Sequence, residues 1–414
     1  MRLGGTLTFV RALRSHRPLA IGVAIVIVVA VVGTGITLAG LASSGATPSP
    51  SATEIGLATF SPSPFATETP EPTATPEPTA TPSPTPSPTP AMVAATTDGV
   101  LLPASEAALA TRQPVAVMID DHWGARPQSG LSQADIVYQA LAEGGIPRYM
   151  AIFQTQDPPS IGPVRSSRLY YVAWAEEWRA IYVHIWGAPN AMAYLNQING
   201  KYVWNIDGLR YGGKSGYMWR VTYRVAPHNL YTSSAKLRAL GNKLGAKVAF
   251  TKPNWTFGDA TPLETRPEGG TLTVPYYYNT IVYNYDRATN TYPRSVTHEK
   301  VETDFGNGQP IAPSNVVVLY EPTGMLSGAA NIHKARLEVG YLGKGRATVY
   351  NNGTVISARW SKKTDSSPTL LTYASGPLAG QPVPLVRGQI FVQVVPTDTV
   401  VTWTPGRTVP PPTF

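Results

Sequence analysis

Between residues 120 and 229 the chain gathers Asp120, Arg126, Asp135, Glu143, Arg148, Arg165, Arg168, His184, Asp207, Arg220 and His228. Two kinds of chemistry fit these types. Arg126, Arg148, Arg165 and Arg168 are planar, permanently charged forks that could grip a carboxylate or phosphate through paired N–H donors. His184 or His228 could serve as a general base, with Asp120 or Glu143 fixing its tautomer. A plainer reading makes the same residues buried Arg–carboxylate pairs and histidine hydrogen bonds that tie loops together. Geometry separates these readings. An enzyme needs a histidine and a carboxylate within hydrogen-bond reach in a cleft. A binding module needs convergent arginines, and separate salt bridges at Arg165 and Arg168 would remove its basis.

Local motifs add little. Gly208-Leu-Arg-Tyr-Gly-Gly-Lys-Ser215 fits the phosphate-loop pattern GxxxxGK[ST]. That mechanism needs a helix next, whereas GYMWRVTYR is aromatic and β-branched, so a glycine-rich turn is the better reading. Ser233-Ser-Ala-Lys236 matches SxxK with no KTG after it, and helix capping explains the serine. GxSxG and HExxH do not occur. The histidines beyond residue 100 (122, 184, 228, 298 and 333) lack ligand spacing, so neither a metal nor a cofactor is expected. No nucleic-acid recognition module is visible either.

Several of these residues sit in IDDHWGARPQSG, EGGIPRY, IGPVRSSR, HIWGAPN and APHNLYTS, where turns meet strand ends. Such loops are where α/β folds gather function. Val115–Ile119, Tyr149–Thr155 and Ala180–Ile185 read as buried strands. Ser166–Trp178, Pro189–Ile198 and a segment from Ser233 or Ser234 to Leu244 have helical spacing. Residues 112–245 therefore read as a mixed α/β domain, and 246–271, with three prolines and Gly269-Gly270, as a connector. From 272 to 400 the texture is β-branched and aromatic, with strands at 271–274, 280–285, 316–320, 346–350, 355–360 and 390–395. Asn351-Asn352-Gly353 supplies a hairpin turn. The expected class is α+β, a mixed N-terminal domain followed by a mostly β one, with 401–414 as a tail.

The stretch VAVMIDDHWGARPQSGLSQADIVYQALAEGGIPRYMAIFQTQDPPSIGPVRSSRLYYV, with APHNLYTS after it, resembles the YerB-like lipoprotein family. NVVV at 315–318, GKGRATVYNNGTVISARWSK from 343 and GQIFVQVVP at 388–396 are similar to that family's C-terminal domain. The resemblance covers most of 112–396 in chain order. It implies a two-domain envelope protein of unassigned activity and makes Asp120, Arg126, Asp135, Glu143, Arg148, Arg165, Arg168, His184 and His228 candidates. Departures stand at Asp121-His122-Trp123, where an Asn and a compact turn are usual, and after His184, where IWGAPN replaces a Gly-Gly-Ser run. The family's lipobox is missing too, since the chain has no Cys.

That absence also excludes disulfides, thiolate metal sites and cysteine nucleophiles. Residues 1–18 form a basic tail with four Arg, and Leu19 to Ala42 run without a charge. At about 1.5 Å per residue the run reaches roughly 36 Å, enough for a bilayer. The expectation is a single-pass membrane anchor in contact with lipid, with the N-terminus cytoplasmic and the rest outside. A cleaved signal peptide is the alternative, and 7–15 apolar residues would suit it better. Residues 43–111 form a stalk and lead-in; 47–90 hold 13 of the chain's 40 Pro with 11 Thr and 6 Ser. This composition favours an extended chain of up to about 130 Å and leaves O-glycosylation undecided. Residues 91–414 contain 29 basic and 21 acidic side chains, which account for the net +8. A basic outer module points to an anionic wall polymer or an envelope protein as partner. Binding or scaffolding is the favoured function, with a hydrolase or transferase working by His/carboxylate acid–base chemistry as the alternative. Oligomeric state has no signature in the sequence.

Overall fold

Every residue of the VAVMID segment is buried. Val115, Val117 and Ile119 enter one hydrophobic cluster, while Ala116 and Met118 enter a second on the opposite face. A strand covered on both faces needs an unbroken apolar run, which explains the missing polar alternation. The computed structural model describes residues 91–297 and 300–409. Two sheets are built, in chain order, from β1 (Val115–Asp120), β2 (Ile136–Leu141), β3 (Pro147–Phe153), β4 (Ile181–His184), β5 (Trp204–Asp207), β6 (Glu268–Pro275), β7 (Thr280–Asn284), β8 (Arg294–Val296), β9 (Asn315–Glu321), β10 (Gly343–Asn351), β11 (Thr354–Lys362), β12 (Leu370–Tyr373), β13 (Ile390–Pro396) and β14 (Thr402–Arg407). Three helices matter for packing: α1 (Leu169–Glu177), α2 (Pro189–Ile198) and α3 (Ser234–Lys243).

The large sheet runs β12-β11-β10-β9-β13-β2-β3-β1-β4-β5, and the small one β8-β7-β6-β14. The class is α+β, mixed before residue 250 and strand-rich after it. One sheet nevertheless crosses both halves, because β13 pairs in parallel with β9 on one side and with β2 on the other.

Helices α1 and α2 cover one face. Tyr170, Tyr171 and Trp174 of α1 are buried there, with the Trp174 ring stacked 5.2 Å from Tyr138 of β2. Trp174→Ala would cost about 4 kcal/mol, the usual result of hollowing out an aromatic core position. Pro189 begins α2, where a missing N–H costs nothing. Helix α3 and the small sheet cover the other face. Ser233 caps α3, its hydroxyl accepting from the Lys236 amide at 3.4 Å, and Gly245 ends it at φ 84°. Arg294, fully buried, pairs with Glu302 and donates to Gln139 Oε1 at 3.0 Å and Tyr149 Oη at 2.8 Å, which pins the small sheet to the large one.

One expectation is corrected. Among the described residues no helix is long and apolar enough to cross a membrane. The single-pass cell-membrane placement, with its cytoplasmic N-terminus, loses its support. The run at 19–42, the tail before it and the stalk at 47–90 lie outside the described residues.

Candidate functional site

Asp120 ends β1 and stands in register with Arg148 of the antiparallel neighbour β3. The chain from Val164 to Ser167 threads across the ends of β1 and β4: Arg165 N donates to the Met118 carbonyl (2.8 Å), and the Arg165 carbonyl accepts from Ile185 N (3.0 Å). These backbone bonds aim Arg165 at Asp120, with Nε 2.9 Å from Oδ2. His228, from APHN, places Nδ1 2.6 Å from the same carboxylate oxygen. His122 donates its amide to Asp120 Oδ1 (3.2 Å) and stacks its ring 4.4 Å from that of His228.

A second carboxylate organises the opposite wall. Glu143 accepts from Arg148 Nη1 at 2.7 Å, pairs with Arg168 Nη2 and lies 3.9 Å from Arg336 Nε. Gly144 N donates to the Ala335 carbonyl at 3.0 Å, which brings a loop of the C-terminal half to the rim. Between the walls is a cavity of about 630 Å³ lined by Asp120, His122, Glu143, Arg148, Arg165, Arg168, Trp186, Arg220, Lys334 and Arg336 among others. Six cationic side chains thus face two carboxylates. Arg148 and Arg168 are more than nine-tenths buried, and the Nε of each has no hydrogen-bond partner.

Electrostatics follow from this crowding. Burial raises the Asp120 carboxyl, but the His228 hydrogen bond and the charges of Arg165 and Arg148 outweigh it and hold it below the ordinary carboxylate range. Burial lowers both Arg165 and Arg168, with Asp120 opposing the effect at Arg165. His122 is lowered by burial and then by the neighbouring His228.

The sequence candidates therefore divide. Asp120, Glu143, Arg148, Arg165, Arg168 and Arg220 line one pocket, and His228 joins it through Asp120. His184 does not. It is fully buried, with Nδ1 2.8 Å from the Trp186 carbonyl and Nε2 2.8 Å from Asn205 Oδ1, and burial lowers its pKa. Arg126 is drawn to Asp121, which also accepts from Gln139. Asp135 binds the Thr155 hydroxyl at 2.7 Å and the Gln154 amide on another side of the sheet. Asp207 caps the turn at 208–211, accepting from Leu209 N (2.9 Å) and Trp186 N (3.1 Å). Glycine-rich 208–215 is a short helical turn and a 3-10 turn, with no long helix after it. Sequence reasoning missed Trp186, Lys334 and Arg336. The last two come from the other half, some 200 residues from Asp120, with no local motif to mark them. Among the described residues no group of three or more His, Asp or Glu side chains could hold a metal ion.

The profile described as "Protein of unknown function (DUF3048) N-terminal domain" matches residues 101–247, and the corresponding C-terminal domain matches 272–392. The chain belongs to the DUF3048 family. "Putative lipoprotein YerB" of Bacillus subtilis (strain 168) is 32% identical over 298 residues, covering 70% of this chain and 84% of that relative. The crystal structure of YerB protein from Bacillus subtilis superposes with a TM-score of 0.64 at 28% identity, covering 75% of this chain and 99% of that one. Both DUF3048 domains contribute to the pocket, the N-terminal one most of its wall and the C-terminal one Lys334 and Arg336. The relative is named for a lipoprotein rather than a membrane-spanning protein, so it offers the single-pass placement no support either.

Proposed function

We propose that the chain is a binding module whose pocket takes the phosphate or carboxylate group of an anionic cell-wall component or envelope partner. The observation that carries this is the surplus of six cationic side chains over two carboxylates around one cavity of about 630 Å³. Arg165 and Arg168 do sit in separate salt bridges, with Asp120 and Glu143 respectively. That removes them as a free pair. The reading rests instead on the excess: each carboxylate faces several cations, so the pocket's charge is not cancelled and its arginines are held ready in fixed orientations. An anion entering there would meet partly desolvated donors, where charge-assisted hydrogen bonds are strong.

Calorimetric titration of the full chain with inorganic phosphate at low salt tests it. Saturable binding that weakens in Arg220→Ala and Arg336→Ala supports the reading; binding that ignores both substitutions contradicts it.

A second reading has its own observation, the 2.6 Å contact between His228 Nδ1 and the buried Asp120 carboxylate. A carboxylate on Nδ1 leaves Nε2 as the basic nitrogen, the arrangement acid–base catalysis uses. Turnover of an anionic wall polymer that vanishes in His228→Gln, with binding retained, would favour the enzyme.

A further inference from the structure

We infer that the anionic ligand is a saccharide, a sugar ring carrying the phosphate or carboxylate, and that the ring seats on Trp186. The inference rests on the anion-binding reading above and adds a recognition element to it. Trp186 lines the same pocket as the arginines, yet its side chain is 64% exposed. A large aromatic left in water at a cationic cleft is an unspent apolar surface.

Its backbone is equally telling. Trp186 has φ 60°, a left-handed conformation that a bulky residue rarely adopts. Three hydrogen bonds hold it there. Trp186 N donates to Asp207 Oδ1 at 3.1 Å, and its carbonyl accepts from Ser167 N at 2.9 Å and from His184 Nδ1 at 2.8 Å. His184 and Asp207, which do not face the cavity, thereby act as positioning residues for this turn. Where the surroundings over-determine a strained residue, function is the reason to look for. Glycine would fit the backbone better and would present no ring.

The ring's surroundings select the ligand. Among the described residues no other aromatic ring stacks on Trp186, so there is no slot to sandwich a flat base. One open aromatic face suits a saturated sugar ring, which lays its C–H edges on the ring while its hydroxyls stay in water. Trp123, also 64% exposed, stands beside the pocket with its ring 3.6 Å from that of His122, a second aromatic flank for a further sugar unit.

The test is calorimetric titration of the full chain with glucose 6-phosphate, inorganic phosphate and uridine monophosphate. The expected result is that glucose 6-phosphate binds about tenfold tighter than phosphate, a stacking increment of about 1.4 kcal/mol. Trp186→Ala and Trp186→Gly should erase that increment, bringing the ratio of glucose 6-phosphate to phosphate affinity down to about one, while Trp186→Phe keeps most of it. Trp186→Gly should also melt no lower than the parent chain, because glycine accepts the left-handed backbone. An increment that survives Trp186→Ala, or no increment at all beside normal phosphate binding, overturns this inference and leaves the anion reading standing. Uridine monophosphate binding tighter than the sugar phosphate with the same Trp186 dependence overturns it in favour of a nucleotide. Failure of both phosphate and glucose 6-phosphate to bind overturns the two readings together.

Discussion

Asp120 Oδ2 lies 2.6 Å from His228 Nδ1, although the two residues are 108 positions apart. The same oxygen is 2.9 Å from Arg165 Nε, so one buried carboxylate fixes a histidine and an arginine at the pocket wall. Removing its charge leaves Arg165 without its counter-ion and His228 without its acceptor. Asp120→Asn should therefore lower stability by about 3 kcal/mol, the usual cost of breaking a buried charge pair from one side. Urea unfolding followed by tryptophan fluorescence measures this. A loss under about 1 kcal/mol would mean that the carboxylate does not organise the wall.

The low Asp120 pKa adds acid sensitivity. Its folded-state value is depressed, so its contribution is present above the ordinary carboxylate value of about 3.9 and is lost as pH falls through the lower folded value. Asp120→Asn should show a smaller decline in melting temperature than the parent chain as pH falls from 4 to 2. Parallel curves would contradict this.

Asp98 behaves in the opposite sense. Burial, and then the charge of Asp135, push its carboxyl up to about 8. Between pH 4 and 8 the folded chain keeps a proton that the unfolded chain releases, so stability falls as pH rises through that window. Asp98→Asn removes this loss. Its melting temperature should gain on the parent progressively from pH 4 to pH 8, as scanning calorimetry can follow; a constant difference would refute the shift.

Arg294 ties the small sheet to the large one through Glu302, Gln139 and Tyr149. Arg294→Met leaves Glu302 buried without its partner and should cost about 3 kcal/mol. Chemical denaturation reports this directly, and the Arg294→Met/Glu302→Gln pair should recover part of the loss.

Much of the fold was legible. Val115–Ile119 stood out as an apolar run, and the helices at 169–177 and 189–198 by their spacing. The strand Ile136–Leu141 was not. SQADIVYQALAEGG carries three Ala and two Gln with one Leu and one Glu, whose helix propensity hides a strand that only sheet pairing reveals. That strand joins the two halves by pairing with Ile390–Pro396, so the shared sheet was invisible too. At the site, Asp120, Glu143 and the Arg148, Arg165 and Arg168 cluster were readable because they sit in turn-rich motifs. His184 looked equivalent to His228 in sequence, and only burial separates them: one is sealed beneath the Trp186 turn, the other reaches the wall through Asp120. Lys334 and Arg336 arrive by tertiary contact alone.

Salt should weaken ligand binding, because exposed Lys334 and Arg220 act through solvent. Lys334→Ala and Arg220→Ala should each lower phosphate affinity about threefold at 20 mM salt and much less at 300 mM, where the Debye length is only about 6 Å. Equal losses at both ionic strengths would point to folding damage instead.

The most direct measurement is a crystal of the chain soaked in tungstate, a heavy-atom stand-in for phosphate, with the anion located by its anomalous signal. The strongest peak should lie inside the cavity, within hydrogen-bond reach of at least two of Arg148, Arg165, Arg168, Arg220 and Arg336. A pocket with no peak, while tungstate occupies other basic surfaces, would contradict it.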